Sequence, residues 1–96
     1  MKIYIKGYLS VKKMLGNVDA LELDIESSTI RNLLIYLSVK YGRDFKNAFF
    51  KESTGQVNKE NGILLNGHHY QHIPKGLETG LKEGDEISLF PPIAGG

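Results

Sequence analysis

Between Thr29 and Gly42 the apolar residues fall at helical spacing. Ile30, Leu33, Leu34, Leu37 and Tyr41 make one continuous stripe along one helix face. A single stripe of this kind cannot bury itself; it needs an apolar surface opposite. The flanking segments supply it by alternation, the period that puts successive side chains on opposite faces of a strand. Ile3 and Ile5 share a face in Lys2–Lys6, against Lys2, Tyr4 and Lys6 on the other. Leu21, Leu23 and Ile25 alternate with Glu22 and Asp24, and Ile87 and Leu89 alternate with Ser88 and Phe90. One amphipathic helix between alternating strands predicts an α+β fold, with a mixed sheet of four to five strands packed on one main helix.

The local signals refine the order. Thr29 is the expected N-cap, with Ser28 as competitor, and Gly42 suits the left-handed position after the last turn. Gly7 to Asn17 reads as the connection of a hairpin, turning at Gly16-Asn17, with Leu9, Val11 and Met14 extending the pairing or packing beneath it. Phe45, Ala48 and Phe49 predict a short helical turn at the core edge, and Glu52 to Glu60 a polar loop. A third strand begins near Gly62, with Ile63 and Leu65 on one face and Leu64 on the other. Asn66-Gly67 is a two-residue turn signal, because such a turn needs positive φ at both central positions. A short return strand then covers His68 to Gln71, an irregular stretch runs from Ile73 to Leu81, and Asp85–Phe90 forms the last strand. Residues 1–96 are expected to form one domain.

The composition excludes several roles. A net charge of +1 with scattered cations leaves no basic footprint for nucleic acid. No apolar run is long enough for a bilayer, and Lys2 and Lys6 interrupt any leader, so a cytoplasmic location is expected. The sequence has no cysteine, which removes disulfides, thiolate clusters and a thiol nucleophile. No serine lies in a nucleophile motif and no phosphate-cradling glycine pattern occurs. The one histidine cluster, His68, His69 and His72, matches no zinc spacing; the expectation is an exposed hairpin without a metal.

The chemistry is therefore expected at the end of the sequence. After the last strand comes Pro91-Pro92-Ile93-Ala94-Gly95-Gly96. Two prolines fix φ and favour extended backbone, so residues 91–96 are read as a flexible tail leaving the domain, with a reach of about 20 Å. Glycines 95 and 96 carry no Cβ and could enter a narrow channel. The group delivered would be the carboxylate of Gly96. A carboxylate resists nucleophiles until it is activated, for instance as an acyl-adenylate, from which a sulfur or amine nucleophile can displace AMP. The chain would then be a substrate and carrier, not an enzyme. Phe90, Leu64 and Tyr4 point outward on the sheet and form, with Gly95, Pro91 and Pro92, the expected docking surface for a partner.

Leu77 through Gly96, together with Asn66-Gly67 and the helix start at Thr29-Ile30 and Leu33-Leu34, resembles the ubiquitin-like β-grasp sulfur carriers. Within them it is most similar to the molybdopterin synthase small subunit and the archaeal-type small modifiers. Residues 43–61 are longer than in the smallest members. The resemblance implies that an adenylating enzyme of the ubiquitin-activating type uses ATP and magnesium to form an acyl-adenylate at Gly96. Sulfur from a persulfide donor then gives a thiocarboxylate. It further implies docking to the large synthase subunit, with the sulfur passing to molybdopterin for a molybdenum or tungsten cofactor, and no cofactor bound by the chain itself. Three alternatives stand beside this: a protein modifier joined through Gly96 to lysines, a sulfur carrier for thiamine synthesis, and a binding module with an inert tail.

Overall fold

The computed structural model describes residues 1–92. Its five strands are β1 (Lys2–Gly7), β2 (Leu21–Asp24), β3 (Gly62–Leu65), β4 (His68–His69) and β5 (Glu86–Phe90). The helices are α1 (Ser10–Met14), α2 (Ile30–Tyr41) and α3 (Arg43–Phe49), with short 3-10 turns at Tyr70–His72 and Gly76–Glu78. The sheet runs β2-β1-β5-β3-β4, with β1 and β5 parallel and the other pairs antiparallel. This is the mixed sheet that the alternation predicts, with five strands.

The register puts the apolar positions in rows. Leu23 lies beside Ile3; Leu21, Ile5, Ile87 and Leu65 form a second row; Ile63 lies beside Leu89. These side chains meet Ile30, Leu33, Leu34 and Leu37 of α2, all at most 1% exposed. Removing this apolar area from water is the main stabilising term. Thr29 caps α2, its Oγ1 accepting from the Asn32 N–H at 3.2 Å. The helix entry is tied to the 73–81 segment, because the Ile30 N–H donates to Thr79 O and the Leu81 N–H to Ser28 O.

Several expectations change. β1 and β2 do pair antiparallel, but the connection between them carries α1 in place of a plain hairpin loop. Val11 and Leu15 are four apart, so one helical turn buries both, at 0% and 3% exposure. Leu9 neither pairs nor packs; it is 75% exposed at φ 55°. The turn at Gly16-Asn17 forms, with φ 89° and 60°. β2 is shorter than Asp19–Ile25. Gly42 does take a positive φ of 92°, but with ψ −164°, so the helix stops in extended mirror-image geometry, not in a left-handed turn. The helical turn expected at Phe45, Ala48 and Phe49 forms as part of the longer α3, and Phe45 and Phe49 are fully buried with their rings stacked at 4.6 Å. The 52–60 loop is polar except for Val57, which bridges to Phe50 and is 6% exposed. Asn66 and Gly67 make the expected turn at φ 50° and 86°, but β4 has only two residues before the chain coils at Tyr70.

Two outcomes test this packing. Leu37→Ala and Phe45→Ala should each cost about 2–5 kcal/mol, read from the urea midpoint. Tyr70 is buried, and loss of solvation holds its phenol above the ordinary 10.0 despite the opposing hydrogen bond with Gln71. The neutral phenol's contribution is intact below 10.0 and lost as pH rises through the higher folded value. Tyr70→Phe should therefore lose less stability than the parent chain at strongly alkaline pH, measured by thermal melting.

Candidate functional site

β5 is the strand that leads to the tail, and it lies between β1 and β3. Its start is held by Asn66, whose side chain donates to Asp85 Oδ1 at 3.0 Å and accepts from the Glu86 N–H at 2.9 Å. Its end is held by Asn61, whose Nδ2 donates to the Phe90 carbonyl at 3.1 Å. The two asparagines flank β3 on either side, so one short strand fastens both ends of its neighbour. On the other side the Tyr8 N–H donates to the Leu89 carbonyl at 3.0 Å. The backbone is thus fixed up to the residue before Pro91.

The side chains at this exit are fitted as closely. Phe90 stacks on Tyr8, with centroids 4.3 Å apart and planes within 5°. Beneath it lies Gly62, the cross-strand partner of Phe90, where an added Cβ would come within 3.0 Å of the Phe90 side chain. Asn61 is 1% exposed and its Oδ1 has no hydrogen-bond partner among the described residues.

Phe90, Leu64 and Tyr4 all lie on the sheet face turned away from the helices, each half-buried. Leu64 is one cross-strand row from Phe90, beside Ser88; Tyr4 is a further row away, beside Glu86. Lys6 pairs with Glu86 at 3.4 Å and Lys2 approaches Glu22 at 3.9 Å, so charge lies between and beyond the apolar residues. Such exposed pairs contribute little to stability. Tyr8, 38% exposed, belongs to the same face and was missed because the sequence reading ended β1 at Lys6. The continuing alternation Lys2, Tyr4, Lys6, Tyr8 was the available signal. Pro91 and Pro92 are half-buried at the exit. Gly95 and Gly96, with Ile93 and Ala94, lie outside the described residues.

The histidines take a local role. His69 Nδ1 accepts from the Gln71 N–H at 3.1 Å and its ring stacks on Tyr70 at 4.8 Å. Among the described residues no group of three or more acidic or histidine side chains is arranged to hold a metal ion. No helix there is long and apolar enough to cross a membrane.

Comparison with known proteins agrees with this geometry. The model of the ThiS family matches residues 10–96. An Archaeoglobus fulgidus protein named "Putative sulfur carrier protein" is 34% identical over 83% of this chain and 88% of its own length. The solution structure of small archaeal modifier protein 1 from Methanosarcina acetivorans superposes with a TM-score of 0.80 at 29% identity, covering 99% of this chain and 96% of that one. A Pyrococcus furiosus structure named "Putative molybdopterin converting factor, subunit 1" has a TM-score of 0.70 at 25% identity, covering 97% and 99%. The fold is the ubiquitin-like β-grasp.

The fitted exit makes a specific prediction. Gly62→Ala should push Phe90 off Tyr8. The ring-proton resonances of Tyr8 should then move toward their unstacked positions, while the urea midpoint falls less than in Leu37→Ala.

Proposed function

Because the chain belongs to the ThiS family, whose members here are named as sulfur carriers and small modifiers, we propose that it carries sulfur as a thiocarboxylate on Gly96. The observation that supports this most is the fastening of β5 at Phe90 by Asn61 and Tyr8, directly before Pro91-Pro92. A rigid root followed by two prolines limits the directions a tail can take, and so lowers the entropy lost when a partner binds it. Gly95 and Gly96 then need little width in the partner's channel.

The chemistry is supplied in trans. A Gly96 carboxylate oxygen attacks the α-phosphorus of ATP in an adenylating enzyme, with magnesium on the phosphates, and pyrophosphate leaves. The terminal sulfur of a persulfide donor displaces AMP from the acyl carbon. A thiol then cleaves the resulting S–S bond, and the sulfur left on Gly96 is the thiocarboxylate. Phe90, Leu64, Tyr4, Pro91 and Pro92 dock the adenylating enzyme and, in turn, the sulfur acceptor's enzyme. The acceptor we favour is the pterin of molybdopterin, on the large synthase subunit. The Pro-Pro-Ile-Ala approach to the glycines resembles that class, and the Pyrococcus furiosus structure named for it covers nearly the whole chain.

A second reading has its own support. The Methanosarcina acetivorans relative is named a modifier, and the same acyl-adenylate could be attacked by a lysine amine to give an isopeptide bond.

Intact mass spectrometry distinguishes the readings. Incubation with the adenylating enzyme, ATP, magnesium, a persulfide donor and a thiol should exchange one oxygen of the chain for sulfur. Deletion of Gly96 should abolish that exchange. Transfer of the sulfur to a pterin precursor by the large synthase subunit would support the molybdopterin assignment. Gly-Gly remnants on lysines of other proteins, with no thiocarboxylate, would favour the modifier.

A further inference from the structure

The helix side of the molecule carries a second surface that the tail chemistry does not use. α2 presents Ile35 and Val39 away from the sheet, one turn apart, at 46% and 82% exposure. They line a groove of about 950 Å³ whose other walls are α3 and the segment from Phe50 to Gly55. Apolar side chains on the outer face of a helix gain nothing from the core, and β-branched residues there are modest helix formers. Their place beside a groove is thus unexplained by folding alone.

The charges around the groove are one-sided. Arg43, Lys46 and Lys51 stand along it, and among the described residues none of the three forms an ion pair. Arg31 lies at one end, engaged by Glu78. Glu52 is the one carboxylate in the lining. Over the whole chain, 12 cationic side chains face 11 anionic ones, so this local excess is not a general property of the surface.

We propose that this groove is a docking site for an acidic peptide segment of another protein, with apolar side chains seated on Ile35 and Val39 and carboxylates meeting Arg43, Lys46 and Lys51. A purely apolar partner would strip water from three cations without pairing them. A nucleic acid would meet the cations through its phosphates but find little use for an aliphatic floor. An amphipathic acidic segment satisfies both halves. Ile35 and Val39 point opposite to Leu33, Leu34 and Leu37, which pack on the sheet, so the groove and the Phe90 face lie on different sides. One partner can hold the carrier while another works on the tail. This proposal does not depend on which nucleophile the tail receives.

The test is a titration of the full ¹⁵N-labelled chain with a short synthetic peptide of leucine and glutamate, followed by amide shifts. Saturable changes are expected around residues 35, 39, 43, 46 and 51, with Tyr4 and Leu64 unmoved. The triple variant Arg43→Glu, Lys46→Glu, Lys51→Glu should bind the peptide about tenfold more weakly or worse. Val39→Ser should also weaken it. Both variants should keep the parent melting temperature and still form the acyl-adenylate at the parent rate, which separates this result from a failure of the tail reading. The proposal is overturned by absent or scattered shifts, or by unchanged affinity in either variant. Equal binding of a lysine-for-glutamate peptide, or tighter binding of a single-stranded oligonucleotide at the same residues, would overturn it too.

Discussion

The position of β5 inside the sheet governs the rest of the molecule. A strand paired on both sides cannot slip by one residue without turning Ile87 and Leu89 out of the core and Ser88 and Phe90 into it. Both apolar residues are fully buried, so that slip would forfeit several kcal/mol of burial. The asparagines at either end of β3 add directional bonds to this apolar constraint. Because β1 and β5 run parallel, they cannot be joined by a tight turn; nearly the whole chain, including α2, is spent between them. The helix layer is the crossing that a parallel pair requires, and its stripe is what the inner sheet face needs.

That arrangement also fixes where β5 ends. Among the described residues, the neighbours of Phe90 at the exit are Tyr8, Gly62, Asn61 and two prolines. They hold a fixed point, the Phe90 carbonyl on Asn61 and the Leu89 carbonyl on Tyr8. Under the proposed function, another protein would work on a carboxylate carried beyond this mount. An asparagine that holds the Phe90 carbonyl through Nδ2 must also place its Oδ1, which is buried beside the same exit.

Much of this was legible in the sequence because it rests on periodicity and turn chemistry. The α2 stripe, the Thr29 cap, the Asn66-Gly67 turn and the inward pairs Ile3/Ile5 and Ile87/Leu89 all follow from spacing. Alternation also put Tyr4, Leu64 and Phe90 on one face, though it could not say that Tyr4 lies two rows from Phe90. What escaped depends on contacts distant in sequence. Val11 and Leu15 fit helical spacing, but a single turn is too short for the pattern to stand out beside a hairpin signal. Asn61 looks like one polar residue among many until Phe90, far along the chain, is seen beside it. Asn66 was read for its backbone alone, while its side chain fastens β5.

Residues 43–61 were the least legible segment, and the structure gives them two distinct sides. Their inner side completes the core: Phe45 and Phe49 are fully buried, and the Phe50–Val57 bridge closes the loop over them. Their outer side supplies Arg43, Lys46 and Lys51, which with α2 make the groove. A segment that only filled space would bury its aromatics and scatter its charges. Here the cations gather on the wall facing exposed Ile35 and Val39, and the turn through Gly55, at φ 70°, folds Gln56 back onto Lys51 and Asn58 onto Phe49. Burial fixes where this segment sits, and that in turn fixes where its charges point. A carrier passed between enzymes needs one surface that lets the tail be processed and gains from another by which it can be held meanwhile. Under the two proposals the sheet face takes the first task and the 43–61 side the second, because the core between them keeps the two apart.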